Sequence, residues 1–159
     1  VLEVAQGRVG VRESPPYSNC GTDVKKFLQS VGLGCGHAWC AAFVYWCVNE
    51  AAGTEGVANP LPRTGGVLKM WNGAPAKGLR RISSADARDN PSLVPPGSIF
   101  VMDYGKGLGH TGFVEKVSAG RLVTIEGNTN DAGSRTGGSV MRLTKRSMKG
   151  VNKGYIVLA

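Results

Sequence analysis

In Gly36-His37-Ala38-Trp39-Cys40-Ala41-Ala42-Phe43-Val44 a cysteine opens an apolar run, directly after a glycine, a histidine and a tryptophan. A thiol in the first turn of a helix lies at the positive end of the macrodipole, among amides that have no intrahelical acceptor, and that placement favours thiolate over thiol. Cys40 is the candidate nucleophile. Such a nucleophile needs a base, and the chain has two histidines. His37 precedes Cys40 by three residues, in a glycine-flanked turn whose direction the sequence leaves open. His110, in Gly107-Leu108-Gly109-His110-Thr111-Gly112-Phe113-Val114, opens a strand just beyond a flexible turn, where its ring can reach a helix end packed on the sheet, so it is the better base. The next strand, Leu122-Val123-Thr124-Ile125-Glu126, ends in a carboxylate followed by Gly127-Asn128. Neighbouring strands hold residues about 5 Å apart, near enough for Glu126 to accept a hydrogen bond from the second nitrogen of His110, which fixes the tautomer and raises the basicity. Thiol, base and orienting carboxylate make the general pattern of an activated nucleophile.

The elements that must position these groups fall into two halves. Leu2, Ala5 and Val9 give a weakly helical start. Thr22-Asp23 offers an N-cap before Val24, Phe27, Leu28 and Val31, whose spacing predicts a short helix ending at Gly32. A third helix begins near Cys40, with Cys40, Phe43, Val44, Cys47, Val48 and Ala51 on one stripe and Gly53 as its end. Cys47, deeper in that helix, reads as a small core residue, and Tyr45 and Trp46 as packing or groove walls. Residues 53–97, rich in glycine and proline, read as a long connection with an apolar knot at Val67, Leu68, Met70 and Trp71 and helical turns near Ser84 to Arg88. After Pro95-Pro96-Gly97 the period changes to short alternating runs: Ser98 to Asp103, Thr111 to Val117, Arg121 to Glu126, Ser139 to Thr144 and Gly154 to Leu158. Helices first and strands second make the class α+β, with N-terminal helices packed on a C-terminal antiparallel sheet. Neither a repeat nor a linker divides residues 1–159, which are expected to form one domain.

With 159 residues, 42% hydrophobic and 19% charged, the chain can bury roughly 70% of its unfolded surface without needing disulfides. The longest apolar run, Ala38 to Val48, is too short to span a membrane, so no membrane insertion is expected. No leader-like segment precedes Leu2, which leaves export open. The net charge is +8, and residues 132–159 carry six basic side chains and no acidic one. That balance suits an anionic partner such as a bacterial wall, or simply keeps the protein in solution. Scattered bases, with no zinc-finger spacing, aromatic RNA-binding run or basic heptad helix, argue against nucleic acid. Cys40 and Cys47 on one helix are too far apart to bridge. Cys20 and Cys35 remain open as a disulfide, as metal ligands or as separate thiols.

Four motifs then stand in order: Trp39-Cys40-Ala41-Ala42-Phe43-Val44, Pro96-Gly97-Ser98-Ile99-Phe100-Val101, Gly109-His110-Thr111-Gly112-Phe113-Val114 and Ile125-Glu126-Gly127-Asn128-Thr129. From about Gly7 onward the chain resembles the CHAP domain, the cysteine- and histidine-dependent amidohydrolases and peptidases related to NlpC/P60 cell-wall peptidases. The resemblance implies a papain-like fold and hydrolysis of an amide bond in bacterial peptidoglycan, in the stem peptide, the cross-bridge or the bond joining peptide to sugar. It implies Cys40 as nucleophile, His110 as base, Glu126 as orienting residue and Asn128 as a further polar member, with no metal and no cofactor. The expected protein is a monomer that is secreted, periplasmic or wall-associated, or is delivered there by phage or a secretion system. Many members carry glutamine just before the cysteine. Here Trp39 takes that place, so the oxyanion donors are expected to be mainly backbone amides. Trp39, Tyr17 and Trp71 are assigned to substrate contact, with Trp71 at the rim of the cleft.

Two other readings compete. Cys35, His37 and Cys40, with Cys20, have the residue types of a zinc site, yet their spacing matches no standard pairing and leaves His110 and Glu126 idle. The same fold could also serve as a non-catalytic wall-binding module, or as a hydrolase or deamidase of a protein substrate, because fold alone does not settle chemistry.

Overall fold

The apolar spacing of residues 1–31 forms two short helices, α1 (Leu2–Gln6) and α2 (Thr22–Ser30), in a computed structural model that describes residues 1–130, 132–133 and 136–158. Val24, Phe27 and Leu28 are the buried face of α2, as their spacing requires, but its N-cap is Gly21 rather than Thr22. The third helix, α3 (Cys40–Glu55), starts where expected and runs past Gly53. One helical glycine costs only about 1 kcal/mol. Termination waits for Gly56, whose left-handed φ of 70° lets its own amide reach the Gly53 carbonyl and that of Val57 reach Ala52. The single apolar stripe was too narrow an expectation: Ala41, Ala42, Tyr45 and Ala52 are buried as well. A helix apolar on most sides must be covered on most sides, and α3 lies between α1 and α2 and the sheet.

The long connection is more ordered than its composition suggests. It holds α4 (Val67–Gly73), β1 (Arg80–Ser83) and α5 (Ser84–Asp89), the last capped by Ser83 Oγ, which accepts the Asp86 amide at 3.1 Å. The strands β2 (Ile99–Gly105), β3 (Leu108–Ser118), β4 (Arg121–Thr129), β5 (Ser139–Ser147) and β6 (Gly154–Val157) complete a six-stranded antiparallel sheet in the order β1-β6-β2-β3-β4-β5. The class is α+β and papain-like. One apolar cluster, including Phe27, Trp39, Phe43, Phe113 and Ile125, joins helices to sheet. A second gathers Ile82, Ala87, Phe100, Val114, Leu122 and Tyr155. The close approach of α3 to β4 requires Gly127, where a Cβ would stand 2.8 Å from the Phe43 ring.

Cys20 and Cys35 form a disulfide across α2, while Cys40 and Cys47 are free and buried. The bridge answers the question the sequence left open and takes both sulfurs from any zinc site. Among the described residues no group of three metal-ligating side chains occurs, and no helix is long and apolar enough to cross a membrane.

Candidate active site

Cys40 is the first residue of α3, and Trp39 stands at the N-cap without a side-chain cap. What fixes this end of the helix is burial. The Trp39 indole is fully buried, 5.7 Å from the Phe27 ring, and its Nε1 donates to Glu13 Oε1 at 2.9 Å. The expectation that Trp39 touches substrate therefore needs correction. An indole with no exposed surface offers none to a ligand, and its position next to Cys40 serves to anchor the helix start. Cys40 is buried at the helix start but keeps 5% of its surface exposed. Cys47, two turns on, is wholly enclosed, and burial pushes its thiol far up.

His110 was expected to open a strand. It is the third residue of β3, paired with Met102 of β2, and has no exposed surface. Its Nε2 lies 2.7 Å from Glu126 Oε1. A carboxylate only accepts, so Nε2 carries the proton. That leaves Nδ1, which has no hydrogen-bond partner among the described residues, free for the interaction of the ring with Cys40. Burial by itself would disfavour a charged imidazole, but hydrogen bonding to Cys40 and Glu126 and the charge of both outweigh it, and the His110 pKa is pushed up to about 9.

Glu126 is fully buried on β4. Besides His110 it receives Thr124 Oγ1 at 2.6 Å and, from β5, both Nε and Nη2 of Arg146, the former at 3.0 Å. Burial would raise the carboxyl pKa. The bonds from His110 and Arg146 reverse that and hold it below the usual carboxylate range. Gly112 makes the crossing from β4 to β3 possible, since a Cβ there would stand 2.9 Å from Glu126 Cγ.

The other expected members are more scattered. Asn128 is buried at the end of β4 with φ 57°, and its Oδ1 has no partner among the described residues; no hydrogen bond joins it to His110. Tyr17 is 89% exposed on the loop that leads to the Cys20 bridge. Trp71 is 8% exposed on α4, under the Arg81 guanidinium at 4.9 Å, so it packs more than it projects. His37 is exposed. Arg146 was missed. It stood in the basic C-terminal stretch, counted only towards net charge, and the strand expected to end at Thr144 stopped two residues short of it. Its one signal was strand alternation carried through to Ser147.

An α+β, papain-like fold here carries a helix-start cysteine that interacts with a strand histidine, itself bonded to a carboxylate on the next strand. The CHAP domain model matches residues 32–128, more than half of the chain, and the chain belongs to that family, one of cysteine- and histidine-dependent amidohydrolases that includes peptidoglycan hydrolases. The matched span contains Cys40, His110, Glu126 and Asn128. No curated protein matches the sequence.

Proposed function

We propose that residues 1–159 act as a single monomeric catalytic domain that hydrolyses an amide bond of bacterial peptidoglycan, with Cys40 as nucleophile, His110 as acid and base and Glu126 as its orienting partner. The observation that carries this reading is one buried imidazole that donates to a buried carboxylate at 2.7 Å and whose pKa is raised by interaction with the thiol at a helix start, in a family of amidohydrolases. Residues 1–31 belong to the same unit because Ala5, Val24, Phe27 and Leu28 share the core that surrounds Cys40. A disulfide suits an oxidising compartment, which agrees with work outside the cytoplasm or at the wall.

The Cys40 thiolate attacks the carbonyl carbon. Amides at the start of α3, the Cys40 N–H among them, bind the oxyanion, a contribution worth roughly 3 kcal/mol per donor in other enzymes. The C–N bond breaks as imidazolium His110 gives its proton to the leaving amine, leaving a thioester and a neutral ring. Water then adds to the thioester while His110 takes its proton. The C–S bond breaks, releasing a carboxylic acid and restoring thiolate and imidazolium. Glu126 stays ionised throughout and keeps the ring in one orientation.

Incubation with purified peptidoglycan tests this. Wild-type protein should release free amines, and Cys40→Ala should release none while its circular dichroism stays native. Wall binding without amine release by the wild type would favour the non-catalytic module, and amine release by Cys40→Ala would overturn the assignment of the nucleophile.

A further inference from the structure

A residue outside the span matched by the family model completes the charge arrangement around His110. Arg146 projects from β5 with 12% of its side chain exposed and meets Glu126 with two nitrogens, Nε at 3.0 Å to Oε2 and Nη2 to Oε1. Nη2 also donates to the Gly133 carbonyl at 3.3 Å, and the guanidinium lies 5.4 Å from the centroid of the Phe100 ring. Phe100 in turn stands 6.0 Å from the His110 ring. The guanidinium is thus held by a carbonyl and an aromatic face in addition to the carboxylate, and its planar fork matches both carboxylate oxygens.

We infer that Arg146 is a positioning residue of this site, whose fork fixes the Glu126 carboxylate in the orientation from which it accepts the hydrogen bond of His110 Nε2. The inference rests on the proposed roles of His110 and Glu126. Oε1 is shared between His110 Nε2 and Arg146 Nη2, so the plane of the carboxylate is set from β5 and the ring follows that plane. Thr124 alone would leave the carboxylate free to turn about one bond. Among the described residues the charged and titratable groups around Glu126 are His110 from β3, Arg146 from β5 and, beyond the ring, Cys40 from α3. Arg146 is the one permanent cation among them. Without it a buried carboxylate depends on a histidine that must give its proton away in each turnover.

Full-length protein with Arg146→Gln and Arg146→Lys tests the inference by two readouts. In the first, the 15N shift of His110 Nε2 follows protonation of Glu126 across the acid range; the chain has only two histidines, so the signal is assigned by comparison with His37→Gln. Arg146→Gln should move that transition to higher pH by about 1–3 units, the usual effect of losing an adjacent opposite charge. Arg146→Lys, which keeps the charge and loses the fork, should move it by less than Arg146→Gln does. In the second, amine release from peptidoglycan should show kcat down by about 100-fold in Arg146→Gln, with KM within about twofold and partial recovery in Arg146→Lys. An unmoved transition, or equal displacement in both variants, overturns the inference, as does a loss of kcat fully matched by loss of folded protein. Should Arg146→Gln not fold, Arg146→Lys decides alone: a kcat equal to wild type overturns the fork's role, and a reduced kcat in folded protein supports it. The titration needs no substrate, so absence of amine release by the wild type would overturn the hydrolase reading while the shift still judges Arg146.

Discussion

Replacing Glu126 by glutamine keeps the side chain's length and removes its charge, and His110 reports the difference. The ring titrates at about 9 in the folded protein, against about 6.5 for free imidazole, and at about 1.4 kcal/mol per pH unit this is roughly 3 kcal/mol in favour of the charged form. Burial opposes that form, so Cys40 and Glu126 together supply more than the net figure. In Glu126→Gln one partner is gone, burial remains, and Arg146 loses its counterion behind the new amide. His110 should then titrate lower than in the wild type, and breaking a buried ion pair from one side should cost about 3–5 kcal/mol. The sign gives a pH window. A raised histidine pKa stabilises fully below about 6.5 and fades as pH rises through about 9, whereas the lowered carboxyl pKa of Glu126 stabilises above the ordinary carboxylate range and fades as pH falls. The wild-type advantage is therefore largest between about pH 5 and 6.5, shrinks steadily from there to about pH 9, and narrows again on the acid side. Urea unfolding of both proteins at pH 6, 7.5 and 9.5, alongside an NMR titration of His110, measures it. A His110 still titrating near 9 in the variant, or a stability gap that does not change with pH, would refute the coupling.

Other expectations concern the frame around the site. Cys40→Ala should abolish amine release with native circular dichroism, and should also lower the His110 pKa by NMR, because Cys40 is one of the two groups that raise it. Replacing Cys20 and Cys35 by serine opens a loop with a sequence separation of 15 and should cost about 3 kcal/mol in urea unfolding at pH 7. Trp39→Phe keeps the packing against Phe27 but removes the Nε1 donor from the buried Glu13 carboxylate, a loss of about 1–3 kcal/mol seen as a lower Tm.

The candidate site was legible in the sequence wherever residue type and local geometry coincide. A cysteine opening an apolar run, a histidine near the start of a β-branched run and a glutamate at the end of the next are each locally encoded, and adjacency of β3 and β4 follows from a two-residue turn. What escaped was decided by tertiary pairing. β1 holds a single buried residue, Ile82, among exposed polar ones, and exists because β6 supplies its hydrogen bonds. Trp39 looks like a substrate contact until Glu13, 26 residues earlier, is seen to accept its N–H. Arg146 looks like solvent-facing charge until β5 is carried to Ser147 and laid beside β4. Long-range partners of single polar groups leave no periodicity behind, so local patterning cannot reveal them.

The order of strands also orders the charges. From the sheet edge inward come Arg146 on β5, Glu126 on β4 and His110 on β3, and the series ends at Cys40 on α3. With the thiolate and imidazolium of the proposed mechanism the signs alternate at every step, so each charge taken out of water has an opposite neighbour on either side except at the two ends. The ends are the two least buried members: 12% of the Arg146 side chain and 5% of Cys40 remain exposed, whereas Glu126 and His110 expose none. That distribution is what solvation energetics demands, since an interior ion is tolerated only with compensation on all sides while a terminal one can draw on water. It also gives the sheet edge a say in reactivity. Any change that loosens β5 weakens Arg146, then the plane of Glu126, then the ring, and reaches the sulfur last.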